Sequence, residues 1–354
     1  MPDSHGAEYI DQLRRLIRVN GPIPLSQFMG ESNARYYDSR DPLGAEADFI
    51  TAPEISQMFG ELIGLWLTDL WSKAGRPERC HYVELGPGRG TLAADALRAM
   101  AQHGLQPQVH FVEGSTALRD VQSAAVPSAI HHHDVASLPE DGSILLVANE
   151  FFDALPIRQL ICTDTGWRER LVGLEGESLA FVAGDRPMDA AVPEIWRSSK
   201  PGTIVETNPA SAAIASEIAD RLVGQGGAAL MIDYGAEQLR AGSTLQAIKA
   251  HQKMDVFASP GEADLTAHVD FGTLADVASR QGAKVMGITT QGEWLIAMGI
   301  DARASALSRQ SPVQAEVIQR QRDRLTGPDQ MGALFKVMGW SAPQWPDGAG
   351  FGAE

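Results

Sequence analysis

Acidic and amide side chains that could do chemistry recur in this 354-residue chain at or just after the ends of short apolar runs. They are Glu84, Glu113, Asp134, Asn149 with Glu150, and Asp233. The runs before them, 81–85, 109–112, 129–133, 144–148 and 228–232, read as buried parallel strands. Open α/β sheets bind ligands at the carboxyl ends of their strands, so these groups would line one rim. Glu84 leads into Gly86, Gly88 and Gly90, and a helix pattern follows from Leu92. A strand, glycine turn and helix bring bare backbone and a helix N-terminus up to a ligand. A dinucleotide turn would need a third glycine at position 91, where this chain has Thr91. Taken alone, the turn is a weak signal and also fits a tight β–α connection with no ligand.

Two further groups carry chemistry. Glu150 and Asp153 directly follow the fourth strand, where paired carboxylates could grip a cation; Asp153 could equally cap the local turn. His268 and Asp270 stand two residues apart on an extended segment, a spacing that suits a proton acceptor and its orienting partner. Asp270 could instead cap the helix starting at Phe271. His131-His132-His133 is no metal site, since neighbouring strand residues face opposite ways. The two cysteines, Cys80 and Cys162, have no ligand spacing and indicate a reducing compartment.

The elements that position these groups follow in order. A helix over 8–19 and a short one from Leu25 precede a polar loop from Arg35 to Gly44. Thr51, Pro53 and Glu54 open an amphipathic helix with Ile55, Phe59, Leu62, Trp66 and Leu70 on one face. The expected divisions are a helical unit over 1–75, an α/β domain over 76–345 and a disordered tail over 346–354. The domain carries insertions at 157–200, read as short antiparallel strands, and at 236–268, read as irregular from 236 to 265, with extra helices at 293–325. A sixth strand is expected at Lys284–Thr290 and a last one at Leu334–Met338.

A formal net charge of −16 gives no nucleic-acid footprint. No apolar run is long enough for a membrane span. The N-terminus carries neither signal nor transit pattern, so the expected location is cytoplasmic.

The segments Val83–Gly90, Ala148-Asn149-Glu150-Phe151-Phe152-Asp153-Ala154-Leu155-Pro156 and Asp264-Leu265-Thr266-Ala267-His268-Val269-Asp270-Phe271 together resemble the MidA-like family of S-adenosylmethionine (SAM) methyltransferases. Gly21–Pro24, Asp48–Ser56, Ile232–Gly235 and Gly332–Val337 extend the resemblance over almost the whole chain. One departure is Arg35, where the family has glycine before its Tyr-Tyr pair.

The resemblance implies a class I methyltransferase fold, Rossmann-like, with a doubly wound seven-stranded sheet. It implies SAM as cofactor, held by Glu84 at the methionine ammonium, Gly86, Gly88 and Gly90 at the turn, Glu113 at the ribose, Asp134 near the adenine amino group, and Asn149. It implies arginine N-methylation of a protein; for that chemistry the positions of Glu150, Asp153, His268 and Asp270 make them the expected catalytic groups, and Glu54, Asp233 and Tyr234 the expected substrate contacts. Mitochondrial members are complex I assembly factors, so a complex I subunit is the implied partner; a homodimer stays open. The competing readings are a non-catalytic assembly module, a small-molecule methyltransferase and a nicotinamide oxidoreductase.

Overall fold

A computed structural model describes residues 4–39, 51–238, 240–249 and 252–352. The chain forms two compact units, each built from separated stretches. One comprises Leu43–Phe152, Ala213–Gln238 and Val269–Glu354; the other comprises Met1–Pro42, Asp153–Ala212 and Leu239–His268. The helical unit expected over 1–75 is therefore divided, because its first helices share a core with the two insertions.

The larger unit is organised by one sheet. Its strands are β1 (Cys80–Leu85), β2 (Gln108–Val112), β3 (Ile130–His132), β4 (Ser143–Asn149), β5 (Gly227–Ala236), β6 (Lys284–Thr290) and β7 (Phe335–Ser341). They lie in the order β6-β7-β5-β4-β1-β2-β3, and Val269–Asp270 adds a two-residue eighth strand beside β5. β3, β2, β1, β4 and β5 run parallel, whereas β7 is antiparallel to both β5 and β6. Every residue of β1 and β4 is buried, which explains why these strands read as continuous apolar runs.

Helices α1 (Gln57–Lys73) and α2 (Thr91–Gln102) belong to this unit and share its core, with Phe59, Ile63, Trp66, Leu92 and Ala96 fully or almost fully buried. Gly64 lets them approach closely, since a Cβ there would lie 2.5 Å from the Ala96 carbonyl oxygen. The amphipathic helix expected from Thr51 is broken at Ser56 into Ala52–Ile55 and α1. Ser56 caps α1 by accepting from the Met58 N–H, while the Thr51 side chain makes no capping bond. β5 continues through Asp233 and Tyr234, four residues beyond the expected end, because Lys336 and Phe335 of β7 pair with them.

The described part of the tail is ordered, against expectation. The Trp66 indole N–H donates to the Ala349 carbonyl at 2.9 Å, and the Phe351 ring meets Trp66 edge-on at 6.2 Å. A glycine at 348 leaves the space that Trp66 fills.

In the smaller unit, Arg158–Thr163, Gly166–Glu175, Ser178–Pro187 and Ile204–Thr207 form one antiparallel sheet with the Ile23–Pro24 edge. The segment expected to be irregular contains a second sheet of Gln246–Lys249, Gln252–Met254 and Asp264–Thr266. The second N-terminal helix runs over Leu25–Ser39, so Arg35 to Ser39 are helical and not a loop. The rest of that expected loop, residues 40–44, and the resemblance segment 48–50 lie outside the described residues.

Candidate active site

The larger unit gathers the acidic rim. Glu84 and Tyr82 share one face of β1, as period two requires, and the Tyr82 hydroxyl donates to Glu84 Oε2 at 2.6 Å. Glu84 is 3% exposed, and no cation pairs with it among the described residues. Burial pushes its carboxyl up to about 8, while the Tyr82 bond pulls the other way. Such an acid sits protonated near neutrality unless a positive group arrives to pair with it.

The turn that follows needs its glycines. Gly86, Gly88 and Gly90 have φ of +59°, +54° and +81°, in the left-handed region. A Cβ on Gly86 would also lie 3.0 Å from the Phe151 ring. Gly90 is the N-cap of α2, and the Thr91 hydroxyl at its first position donates to Glu54 Oε1 at 2.5 Å. Glu54 thus lies beside the turn, on the short helix Ala52–Ile55.

Glu113 directly follows β2. Its Oε1 accepts the Ser115 N–H at 2.8 Å, and its Oε2 accepts from Gln122 Nε2 at 3.0 Å. Burial raises its pKa, and these hydrogen bonds oppose the shift. Asp134 is exposed after β3, where its Oδ1 caps a 3-10 turn through the Ser137 N–H at 2.9 Å. Asn149 ends β4, and its buried Oδ1 has no hydrogen-bond partner among the described residues. A buried unmet acceptor is costly in isolation, so it marks a place where a donor belongs.

Glu150 has a φ of +50°, left-handed for a residue that carries a Cβ. Its N–H donates to the Ile232 carbonyl at 2.9 Å, which ties the strained residue to β5. Its Oε1 receives long contacts of 3.4 Å from the Ala52 N–H and the Asn149 amide. Strain of this kind, about 1–3 kcal/mol, persists where the surroundings impose it and is common at functional sites.

The other expected residues divide. Asp233 is 1% exposed, and its two oxygens accept the Phe152 and Tyr234 N–H groups. It braces the strand-four loop. Tyr234 packs edge-on against Phe335. Asp270 is a helix cap: its oxygens take the N–H and hydroxyl of Thr273 at 3.0 and 2.6 Å. These contacts favour the cap, one of the two roles its sequence position allowed, over orienting His268. Asp153 and His268 belong to the smaller unit. The Asp153 carbonyl accepts the Ala267 N–H, and the Thr244 hydroxyl accepts the His268 N–H. Burial lowers the His268 pKa.

Two polar features were missed from sequence. Gln122 is one, on the buried face of α3 (Thr116–Ala125) with Leu118; its i,i+4 spacing to Leu118 was the available signal. The other is a row of imidazoles across three strands, His81 to His110 at 3.0 Å and His110 to His132 at 2.9 Å. His131 turns instead to Gln122, as the alternation predicts. No group of three metal-ligating side chains occurs among the described residues.

An open parallel sheet with a glycine turn and an acidic rim defines a nucleotide-type ligand site. Residues 62–289 match the family described as "Putative S-adenosyl-L-methionine-dependent methyltransferase". The chain is 36% identical to Protein arginine methyltransferase NDUFAF7, mitochondrial, of Xenopus laevis, over 90% of this chain and 81% of that protein. The Danio rerio protein of the same name is also 36% identical, over 92% and 85%. A solved structure from Burkholderia thailandensis, bound to S-adenosyl-homocysteine, superposes with a TM-score of 0.83 at 26% identity, covering 100% of this chain and 96% of that one. The chain belongs to this family of SAM-dependent methyltransferases and has its α/β class I fold.

The residues fit that cofactor. Among the described residues, the buried acid Glu84 has no cationic partner and suits an ammonium, the Asn149 oxygen has no donor and suits one, and the glycine turn offers bare backbone.

Proposed function

We propose that this methyltransferase acts on an arginine side chain of a protein, with Glu150 as the residue that receives the guanidinium. The carrying observation is Glu150 itself, a carboxylate held at φ +50° directly after β4. Support comes from the relatives, whose names state protein arginine methylation. Bound SAM supplies an electrophilic methyl on a positive sulfur.

A guanidinium is protonated at ordinary pH and is a poor nucleophile until its charge is localised. A carboxylate does this by bidentate hydrogen bonding. Transfer of the methyl from the sulfur to a guanidinium nitrogen would release one N–H proton, which Glu150 would take in this reading. In this reading Glu84 holds the cofactor ammonium, Gly86, Gly88 and Gly90 give backbone contact, Glu113 accepts from the ribose, Asp134 lies near the adenine, and Asn149 fills its open acceptor. Glu54 lies beside the turn as a second contact for a cationic acceptor. Asp153 keeps its proposed part in the geometry of the loop that follows Glu150 in the chain, and His268 its proposed part as a proton acceptor. A complex I subunit is the acceptor that the family resemblance favours.

The test uses methyl-labelled SAM and a cell extract. Label is expected in methylarginine after hydrolysis of protein, and Glu150→Gln should lower the rate at least about a hundredfold while S-adenosylhomocysteine (SAH) still binds. Label in lysine, in carboxyl esters or only in small molecules would contradict the proposal.

A further inference from the structure

Gln122 is 0% exposed, yet it makes three polar contacts. Its Nε2 donates to the Gly88 carbonyl at 2.8 Å and to Glu113 Oε2 at 3.0 Å. Its Oε1 lies 3.1 Å from His131 Nε2. The orientation of the amide is settled by chemistry. A backbone carbonyl and a carboxylate can only accept, so the NH2 group must face them and His131 must donate. Burial together with His131's cationic neighbour Arg119 keeps that imidazole on the neutral side, which leaves it one N–H to give.

One side chain therefore ties the glycine turn, the end of β2 and the middle of β3. Core packing alone would be served by an apolar residue, because a buried amide is costly unless its bonds are met. Glu113 has few other restraints: Ser115 and Gly114 N–H groups hold it from the backbone, and Gln122 is its side-chain partner. The two carboxylate oxygens have four acceptor positions between them, so with these three donors in place one position stays open to a ligand hydroxyl.

We propose that Gln122 is a positioning residue of the cofactor site, aiming the Glu113 carboxylate and fixing the Gly88 carbonyl so that the site selects a ligand with vicinal ribose hydroxyls. This rests on Glu113 as the ribose acceptor. Without Gln122 the carboxylate keeps its backbone N–H bonds but loses the side-chain partner that fixes Oε2, and discrimination in favour of the hydroxyls falls. A mere packing role would weaken every ligand alike.

The experiment measures calorimetric affinities of SAH and of its 2′,3′-dideoxy analogue for the full chain and three variants. Wild type should prefer SAH. Gln122→Met, close in size, should lose about tenfold of that preference, with the affinity for the dideoxy analogue nearly unchanged. Gln122→Glu provides a second probe should the methionine variant fold poorly. It should lose the preference at alkaline pH and regain part of it in acid, where a protonated carboxyl donates again. Glu113→Gln separates the two claims. If it keeps the full preference, the ribose reading fails. If it loses the preference while both Gln122 variants keep theirs, or weaken both ligands equally, the positioning inference fails.

Discussion

Glu84 makes the sharpest demand at the scale of single residues. Its folded-state pKa of about 8 lies above the ordinary carboxyl value of 4.5. Between those values the folded protein holds a proton that the unfolded chain has lost. The ligand-free protein should therefore lose stability as pH rises from about 4.5 to about 8, the reverse of an ion-paired carboxylate. An arriving ammonium should ionise Glu84. SAH binding near pH 6.5 is thus expected to release close to one proton, read from calorimetry in buffers of different ionisation enthalpy, with little release in Glu84→Gln. Equal release in both proteins would remove Glu84 from the ammonium site. Glu150 makes a second demand. Glu150→Gly relieves the left-handed φ but gains unfolded-state freedom, so stability should stay within about 1 kcal/mol while methyl transfer is lost. A large loss of stability in denaturant melts would show Glu150 to be structural.

At the scale of elements, legibility followed physics. β1 and β4 are buried on both faces, so their apolar runs and acidic ends could be read directly. The Leu25–Ser39 helix was read as ending early because its later turns carry Glu31, Asn33, Arg35 and Asp38, a polar stretch that resembles a loop. Its stability comes from tertiary partners: the buried Asn33 side chain bonds the Leu265 backbone in both directions, at 2.8 and 3.0 Å. The Gln246–Thr266 sheet was missed because its strands are three or four residues long and glycine and proline lie between them. Asp270 could be read two ways, and the Thr273 contacts favour the cap. Asp270→Ala should cost about 1 kcal/mol of stability and leave kcat near wild type. A change in the pH–rate profile with unchanged melting would restore Asp270 to the chemistry.

At the scale of the whole molecule, the larger unit is closed by a segment that sequence alone suggested was disordered. Residues 346–352 read as a loose tail because glycine and polar residues dominate them, yet Trp66 offers an indole N–H and a ring face that they satisfy. Phe351→Ala should destabilise this unit by about 2 kcal/mol, seen as a lower melting midpoint with SAH affinity unchanged in the folded protein. An unaltered midpoint would show the contact to be dispensable. The resemblance points to the family and the acids at the strand ends to a rim, whereas Gln122 and the imidazole row depend on how α3 packs on the strands and on which strands are neighbours.

The central claim is that the carboxyl ends of β1, β2 and β4 hold SAM by acid, bare backbone and amide. A crystal structure with SAH tests it most directly. The account predicts the ligand ammonium at Glu84, a ribose hydroxyl within about 3 Å of a Glu113 oxygen, and a ligand donor on Asn149 Oδ1. A ligand bound elsewhere, or a rim filled by the protein's own side chains, would contradict it.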